Sequence, residues 1–357
     1  MHLNPLTRKK LKRFRSIRRG YFSFLILVGL VVVSLLGELI VNSRALIVSY
    51  EGELYFPTYG ANIPGATFGL EYSYETNYRD LRAKFEAGNS KNWVLMPPFE
   101  YNPYENTPYM GVFKPAPPSF MDGPAGHLLG TDTTGRDIFA RLFYGFRVAI
   151  FFALSFMALT YLIGITIGCM MGYFGGIFDL IVQRIIEVWS NIPFLYMVII
   201  IFSVVPSTLS IPSRIGILLT VMVLFSWTSM TYYMRTATYR EKARDYSAAA
   251  IVIGASTPRI IFNHIIPNTI STIVTFMPFS VVSAITAVTA LDFLGFGLPP
   301  PTPSMGELLK QGTQTLTTAP WIVTSAFAAL VFILTLVTFI GEAVREAFDP
   351  RKFTTYE

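Results

Sequence analysis

The sequence predicts an all-α polytopic membrane protein with six spans, and three observations predict it. Of 357 residues, 52% are hydrophobic and only 14% are charged, with a mean hydropathy of +0.48. A soluble domain carries about a quarter charged residues. Charge-poor apolar runs of about 20 residues, the length that crosses a bilayer core, recur along the chain. Finally, Lys and Arg cluster on one side of an alternating topology, as cytoplasmic loops require.

The elements follow in order. Residues 1–20 hold Arg8, Lys9, Lys10, Lys12, Arg13, Arg15, Arg18 and Arg19. Arg8–Arg19 reads as a basic amphipathic helix on the cytoplasmic leaflet rather than a nucleic-acid contact. The first span is Tyr21–Gly37, within a membrane segment 21–41. No small-residue cleavage site follows "VVVSLLGELI", so it reads as an uncleaved helix rather than a secretory signal. The other spans are Val148–Met171, Ile185–Val205, Ile215–Met234, Pro267–Ala290 and Pro320–Gly341. They form a core over 148–345, with a cytoplasmic loop at 235–266 and a tail at 346–357.

With the N-terminus inside, the cytoplasmic loops hold Arg184, then Arg235, Arg240, Lys242, Arg244 and Arg259, then Arg345, Arg351 and Lys352. The short outer loops hold only Arg214 and Lys310. Both termini are therefore expected in the cytoplasm.

Segment 42–147 is expected outside. Its Tyr-, Pro- and acid-rich stretches, such as "YEGELYFPTYG" and "MPPFEYNPYENTPYMG", suggest short strands and turns rather than helices. The residues leave open whether it caps the outer face or docks an external partner. It closes with "HLLGTDTTGRDIFARLFYGFRVAI", where Thr131 to Thr134 offer N-caps for an interfacial helix bearing Phe139, Leu142, Phe143 and Phe146.

Several functions are disfavoured. Glu187 is the only ionisable residue inside the drawn spans, so no proton relay is legible. No filter-like loop interrupts a span. No GxxxxGK[ST] occurs, so ATP is not bound through a P-loop of this chain's own. Cys169 is the single cysteine, and His2, His127 and His264 have no metal-ligand spacing. Gly164, Gly168 and Gly172 invite close helix approach to a partner that is internal or in another subunit. Pro193 and Pro278 lie inside spans three and five as possible kinks.

The stretch "ARDYSAAAIVIGASTPRIIFNHIIPNTI" reads as a helix–glycine–helix elbow. Ala248, Ala249 and Ala250 allow close packing, and Gly254 suits a left-handed helix end. Thr257 is the expected cap, with Pro258 at the first position of a helix running to Ile266. The spacing Ala249-Ala250, then Gly254, then Pro267 resembles the EAA loop of ABC-importer permeases, with Ala248 where the family has Glu. The segment from His127 to Ile150, "LDFLGFGLPPPTPSMGELLKQG" (Leu291–Gly312) and "GEAVREAFDPR" (Gly341–Arg351) resemble dipeptide and oligopeptide permeases. "RRGYFSF" and "SYEGELYFPTYG" look closer to Yej-type peptide permeases, which the family links to microcin C uptake.

This resemblance implies the type I ABC importer permease fold, with six transmembrane helices and an inserted extracytoplasmic segment, in the inner membrane. It implies an ATPase-docking set of Asp245, Tyr246, Ala248, Ala249, Ala250, Gly254 and Pro267. Gly130, Thr131, Asp132, Gly135, Arg136, Asp137, Gly295, Gly297 and Pro303 are the implied structural motif. The implied partners are a homologous permease in a heterodimer, two ATPase subunits, a solute-binding protein, a peptide substrate and lipid, with no nucleic acid. The chain itself would be non-catalytic and hold no cofactor or metal, with ATP and Mg in the ATPases. From the residues alone, a self-sufficient secondary transporter or channel is the alternative. A membrane-anchored enzyme has no legible catalytic constellation in the outer segment.

Overall fold

Unpaired backbone amides are costly in hydrocarbon, and the apolar runs avoid that cost by closing their hydrogen bonds within helices. The computed structural model describes residues 5–88, 91–121, 123–206 and 208–349. In chain order the elements are α1 (Pro5–Ser16), α2 (Arg18–Leu35), α3 (Gly37–Ile40), β1 (Ile47–Tyr50), β2 (Glu53–Tyr55), α4 (Tyr78–Ala87) and β3 (Trp93–Leu95). There follow α5 (Ile138–Phe174), α6 (Gly176–Ser190), α7 (Phe194–Val204), α8 (Ile211–Lys242), α9 (Asp245–Val252) and α10 (Thr257–Ile260). The last are α11 (Ile266–Leu294), α12 (Met305–Gln314) and α13 (Pro320–Phe348). Among the described residues five helices are long and apolar enough to cross a membrane, and there are six if α6 and α7, bent by 72°, count as one span.

The chain divides into two compact units. One comprises Met1–Leu27, Ala149–Pro299 and Phe332–Glu357; the other comprises Val28–Val148 and Pro300–Val331. The outer segment expected at 42–147 thus shares its unit with the chain around α12 and the start of α13. Of the expected tail 346–357, residues through Phe348 are helical. Arg351 and Lys352, like His2, lie outside the described residues.

In the first unit, α5 and α8 pack backbone to backbone. A Cβ added at Gly164 would sit 2.8 Å from Met230 Cβ, at Gly168 2.5 Å from the Thr231 carbonyl, and at Gly172 2.6 Å from the Arg235 carbonyl. The partner of the glycine stripe is therefore internal. Cys169, Met234, Ile260, Ile261 and Ile265 fill the core beside this seam. At the N-terminus, α1 and the start of α2 meet the end of α13: Arg13 of α1 pairs with Glu346 (3.7 Å), Arg19 of α2 pairs with Glu342 (3.2 Å), and Lys10 lies over the Phe348 ring.

Several boundaries differ from expectation. Helix α5 starts at Ile138, so the anticipated interfacial helix and the second span are one 37-residue helix. Its cap is Asp137, whose Oδ1 accepts from the Ala140 N–H at 2.7 Å, and not Thr131–Thr134. Span three is broken after all: α6 ends at Ser190 and Pro193 precedes α7 in an extended conformation. A proline there denies the helix an amide and disfavours helical backbone before it. By contrast, α11 continues through Pro278.

Helix α8 runs on to Lys242, so residues 235–242 are helix rather than loop. At the elbow the residue preceding α10 is Ser256, without a side-chain cap; Thr257 and Pro258 are already helical. The second arm does not stop at Ile266. It passes through a π turn, Ile261–Ile265, into α11, giving one apolar helix over Thr257–Leu294. Widening the turn fits Pro267, whose ring would crowd the carbonyl four residues back.

In the second unit, β2-β1-β3 form an antiparallel sheet, the short strands expected in the outer segment. Helix α4 amends the strands-and-turns expectation. Asn77 caps it by accepting from the Arg79 and Asp80 amides (3.2 and 3.5 Å), and Tyr78, Leu81 and Phe85 turn inward. They meet Val48 and Phe68 in a small core, where burial, with Glu75 nearby, raises the Tyr78 hydroxyl pKa to about 12.

Replacing Gly168 by Leu drives a side chain into the α8 backbone. The expected cost is about 1–3 kcal/mol, as for overpacking elsewhere. Gly216→Leu, on α8 with open space at its Cβ, is the control. Thermal unfolding of the two variants in detergent checks this: only Gly168→Leu lowers the midpoint.

Candidate functional site

Three places combine residue types that sequence or structure marks out: a cavity, a buried ionic turn and the elbow. The cavity lies in the first unit among α5, α7, α8 and α11 and encloses about 540 Å³. Hydroxyls line it from three helices: Thr160 on α5, Ser226 and Ser229 on α8, Ser280 and Ser283 on α11. Between them stand aromatic rings, including Phe156, Phe194, Phe225, Phe276 and Phe279. Tyr161 and Ser280 bond across it at 2.8 Å, and Tyr233 stacks on Phe276 with centroids 4.0 Å apart.

No lining residue bears a charge. Such a wall can hydrogen-bond amides and hydroxyls and pack against apolar or aromatic groups without discriminating by charge. Sequence reading missed this site. Serines and threonines in apolar helices ordinarily bond their own helix, as Thr166 does to the Leu162 carbonyl, and only packing reveals which ones share a cavity.

The ionic turn lies in the second unit. The backbone reverses at Gly130 and Gly135, both with positive φ (+77° and +85°), and brings Asp132 and Arg136 beneath the start of α5. Asp132 is fully buried. Its Oδ1 accepts from the Thr134 amide (2.9 Å), the Thr134 hydroxyl (2.9 Å) and the Arg136 amide (3.0 Å), while Oδ2 accepts from Arg136 Nε (2.8 Å). Arg136 also donates to Glu307 on α12 at 2.9 Å, and the fully buried Arg141 of α5 donates to the other Glu307 oxygen. Two cations thus face two anions. Burial lowers the Arg136 pKa, but the carboxylates of Asp132 and Glu307 outweigh it and the net shift is upward.

Thr131, Asp137 and Pro303 belong to the same cluster. The Thr131 hydroxyl accepts from the Ala116 amide at 2.7 Å, Asp137 pairs with His127 at 2.9 Å, and Pro303 lies against Gly145. Gly295 and Gly297 do not join them. They lie in the first unit, where Gly295 (φ +87°) ends α11 and the Leu298 amide donates to Asp292 at 2.5 Å. Arg141 Nε makes no hydrogen bond but lies 3.5 Å from Asp132, so the two cations are matched in charge by the two carboxylates and the turn's chemistry is structural.

The elbow projects from the first unit. Gly254 ends the first arm at φ +82° with nothing within 4 Å of an added Cβ, so the dihedral, not space, calls for glycine. Asp245, Ala248, Ala249, Gly254 and Pro267 are exposed. Ala250 is not: it is 3% exposed and packs in the unit's own core, which removes it from the expected docking face. Tyr246 is half-buried and donates to Glu241 at 2.9 Å; burial and that carboxylate raise its pKa. Beyond the alanines, Val252 and Ile253 are 86% and 82% exposed. Sequence reading passed over these two, because apolar residues beside a glycine read as core.

Replacing Asp132 by Ala strands Arg136 and the buried Arg141 beside one carboxylate. Breaking such a buried network costs about 3–5 kcal/mol. Denaturant unfolding of the purified chain measures the loss; the same substitution at exposed Asp245 is expected to leave stability unchanged.

Known proteins place these features. Residues 164–354 match the family described as binding-protein-dependent transport system inner membrane component. The chain is 40% identical to the inner membrane ABC transporter permease protein YejE of Escherichia coli (strain K12), covering 98% of each chain. It is 37% identical to the peptidoglycan transport system permease protein YejE of Agrobacterium fabrum, over 98% of this chain and 94% of that one. It is 32% identical to the dipeptide transport system permease protein DppC of Haemophilus influenzae, over 68% and 84%. With its multi-pass apolar helices and exposed elbow, the chain belongs to the family of inner-membrane permease components of binding-protein-dependent ABC transport systems.

Proposed function

We propose that this chain is one permease of a heterodimer that imports peptides across the inner membrane. Two ATPase subunits drive it from below, a solute-binding protein delivers the cargo, and both termini lie in the cytoplasm. ATP and Mg belong to the ATPases; this chain contributes a path and a handle rather than a catalytic group. The observation that carries the reading is the elbow. A helix ended by Gly254 presents Val252 and Ile253 to solvent, on a stem whose one arm is α8 and whose other arm runs unbroken into α11. Both arms line the cavity. An apolar tip of this kind suits insertion into a partner's pocket, and a rigid helical stem transmits displacement better than a loop.

The docking face is therefore Asp245, Ala248, Ala249, Val252, Ile253 and Gly254. Ala250 acts from beneath as the packing contact that fixes the arm's angle. Because Ala248 stands where the family carries Glu, apolar contact takes the place of a salt bridge at that point.

The cavity chemistry speaks to cargo. Hydroxyls for backbone amides and rings for side chains, with no fixed charge, suit peptides of varied sequence, microcin C-like peptides included. Relatives of this chain are named for dipeptide, oligopeptide and peptidoglycan transport, cargoes that have peptide in common.

A gentle detergent pull-down from native membrane is expected to recover a second permease and ATPases with this chain, and Val252→Asp to lose the ATPases. A chain that comes down alone and transports solute by itself would establish the secondary transporter instead. Gly254→Val forces a β-branched residue into the left-handed region, at roughly 1–2 kcal/mol. In liposomes it is expected to lower peptide uptake at least tenfold at unchanged permease content.

A further inference from the structure

Helix α6 is bounded by a break in the helical chain at each end. It leaves α5 through Gly175 and Gly176, both at positive φ (+66° and +55°), a corner whose dihedrals are open to glycine in many directions. At its other end the chain breaks at Asn191–Pro193 before α7. Besides the packing of its buried Ile186, α6 is tied to α8 by side-chain hydrogen bonds and ring stacking at two points.

The first is ionic. Asp179, buried on α6, accepts from Arg235 Nε and Nη2 at 2.5 Å each, a bidentate pair, and from the Tyr239 hydroxyl at 2.8 Å. The second is aromatic. Trp189, in the last turn of α6, donates to the Leu224 carbonyl at 2.7 Å and stacks on Phe225 with centroids 5.3 Å apart. From Asp179 to Trp189 and from Arg235 back to Phe225 is the same number of residues, about 15 Å along each helix at 1.5 Å per residue. The helices therefore run antiparallel and are pinned at matching stations.

These stations stand at consequential places. Phe225 lines the cavity, as does Phe194, the first residue of α7. Arg235 sits two turns before α8 ends and the elbow begins, and its own carbonyl rests against Gly172 of α5. A charge pair near the end of an apolar helix is costly to desolvate and needs its partner.

We propose that Asp179 and Arg235 are positioning residues for coupling: their bidentate pair makes α6 follow α8, so that displacement of the elbow reaches the cavity wall at Phe194 and Phe225. The inference rests on the ATP-driven reading above, with Trp189 as the output end and Arg235 as the input end. It assigns neither residue a contact with cargo or with an ATPase.

The test uses the complete transporter in liposomes, with a Cys169→Ser background and an environment-sensitive thiol probe on Ile200→Cys, an exposed position of α7. Three quantities are read: ATP hydrolysis, the probe's response to nucleotide, and peptide uptake per ATP hydrolysed. For Asp179→Asn and Arg235→Lys we expect hydrolysis within about twofold of the parent, a probe response reduced at least fivefold, and uptake per ATP reduced at least tenfold. The exchanged pair Asp179→Arg with Arg235→Asp is expected to recover part of both losses.

Unchanged probe response and uptake per ATP in the single variants would overturn the proposal. So would failure of all three variants to assemble, which would make the pair a folding element, and so would a parent whose α7 probe ignores nucleotide. A parent that hydrolyses ATP and moves the probe, yet takes up no peptide, would refute the peptide reading alone and leave the coupling role standing.

Discussion

The first unit depends on one steric constraint: α8 lies directly on the glycines of α5. With no hydrophobic drive separating helix from lipid, close backbone approach and dispersion hold membrane helices together. Gly164, Gly168 and Gly172 permit that approach over two turns, and Met230, Thr231 and Arg235 occupy the space their missing side chains leave. The consequences spread outward. The seam sets the rotation of α8, which turns Ser226, Ser229 and Tyr233 into the cavity and Arg235 toward α6. The same helix continues to Lys242, where its Nζ donates to the Tyr173 carbonyl at 2.5 Å and ties the end of α8 to the end of α5.

Buried charge is used in two different ways. In the turn around Asp132, two arginines and two carboxylates cancel, and the groups lock three segments of one unit into a single arrangement. The Asp179–Arg235 pair instead joins α8 to α6, a helix bounded by a pair of glycines and a broken turn, whose second tie to α8 is at Trp189. A bidentate Arg–carboxylate pair fixes relative orientation as well as distance. It suits a joint that must hold two elements together while one is driven.

The elbow obeys a third logic. Its arm is held from inside by Ala250 and Ser247, both buried, while the residues past Ala250 are left outside. Small side chains on the inner face let the arm lie close to the bundle, and an exposed Val252–Ile253 tip is a surface that water alone would not favour. Such a tip on a soluble monomer marks an interaction site.

The helical, multi-spanning class was legible in the sequence because apolar length is a one-dimensional quantity, and the permease family because the Ala249-Ala250, Gly254, Pro267 spacing and the segments after His127 resemble that family's motifs. The left-handed Gly254 was legible as well, since local chemistry fixes a helix end, whereas Asp132 and Arg136 entered only through the resemblance. The rest was decided in three dimensions. That α5 extends back to Ile138 depended on Asp137 capping it, and α4 depended on Asn77 finding a buried face for Leu81 and Phe85. That Ala250 faces inward and Val252 outward, and that Asp179 meets Arg235 across 56 positions, followed from helix rotation. A sequence states which residues lie on one helix. Which of them share a cavity or a charge is set by the packing of helices against each other, and the glycines of α5 fix it here.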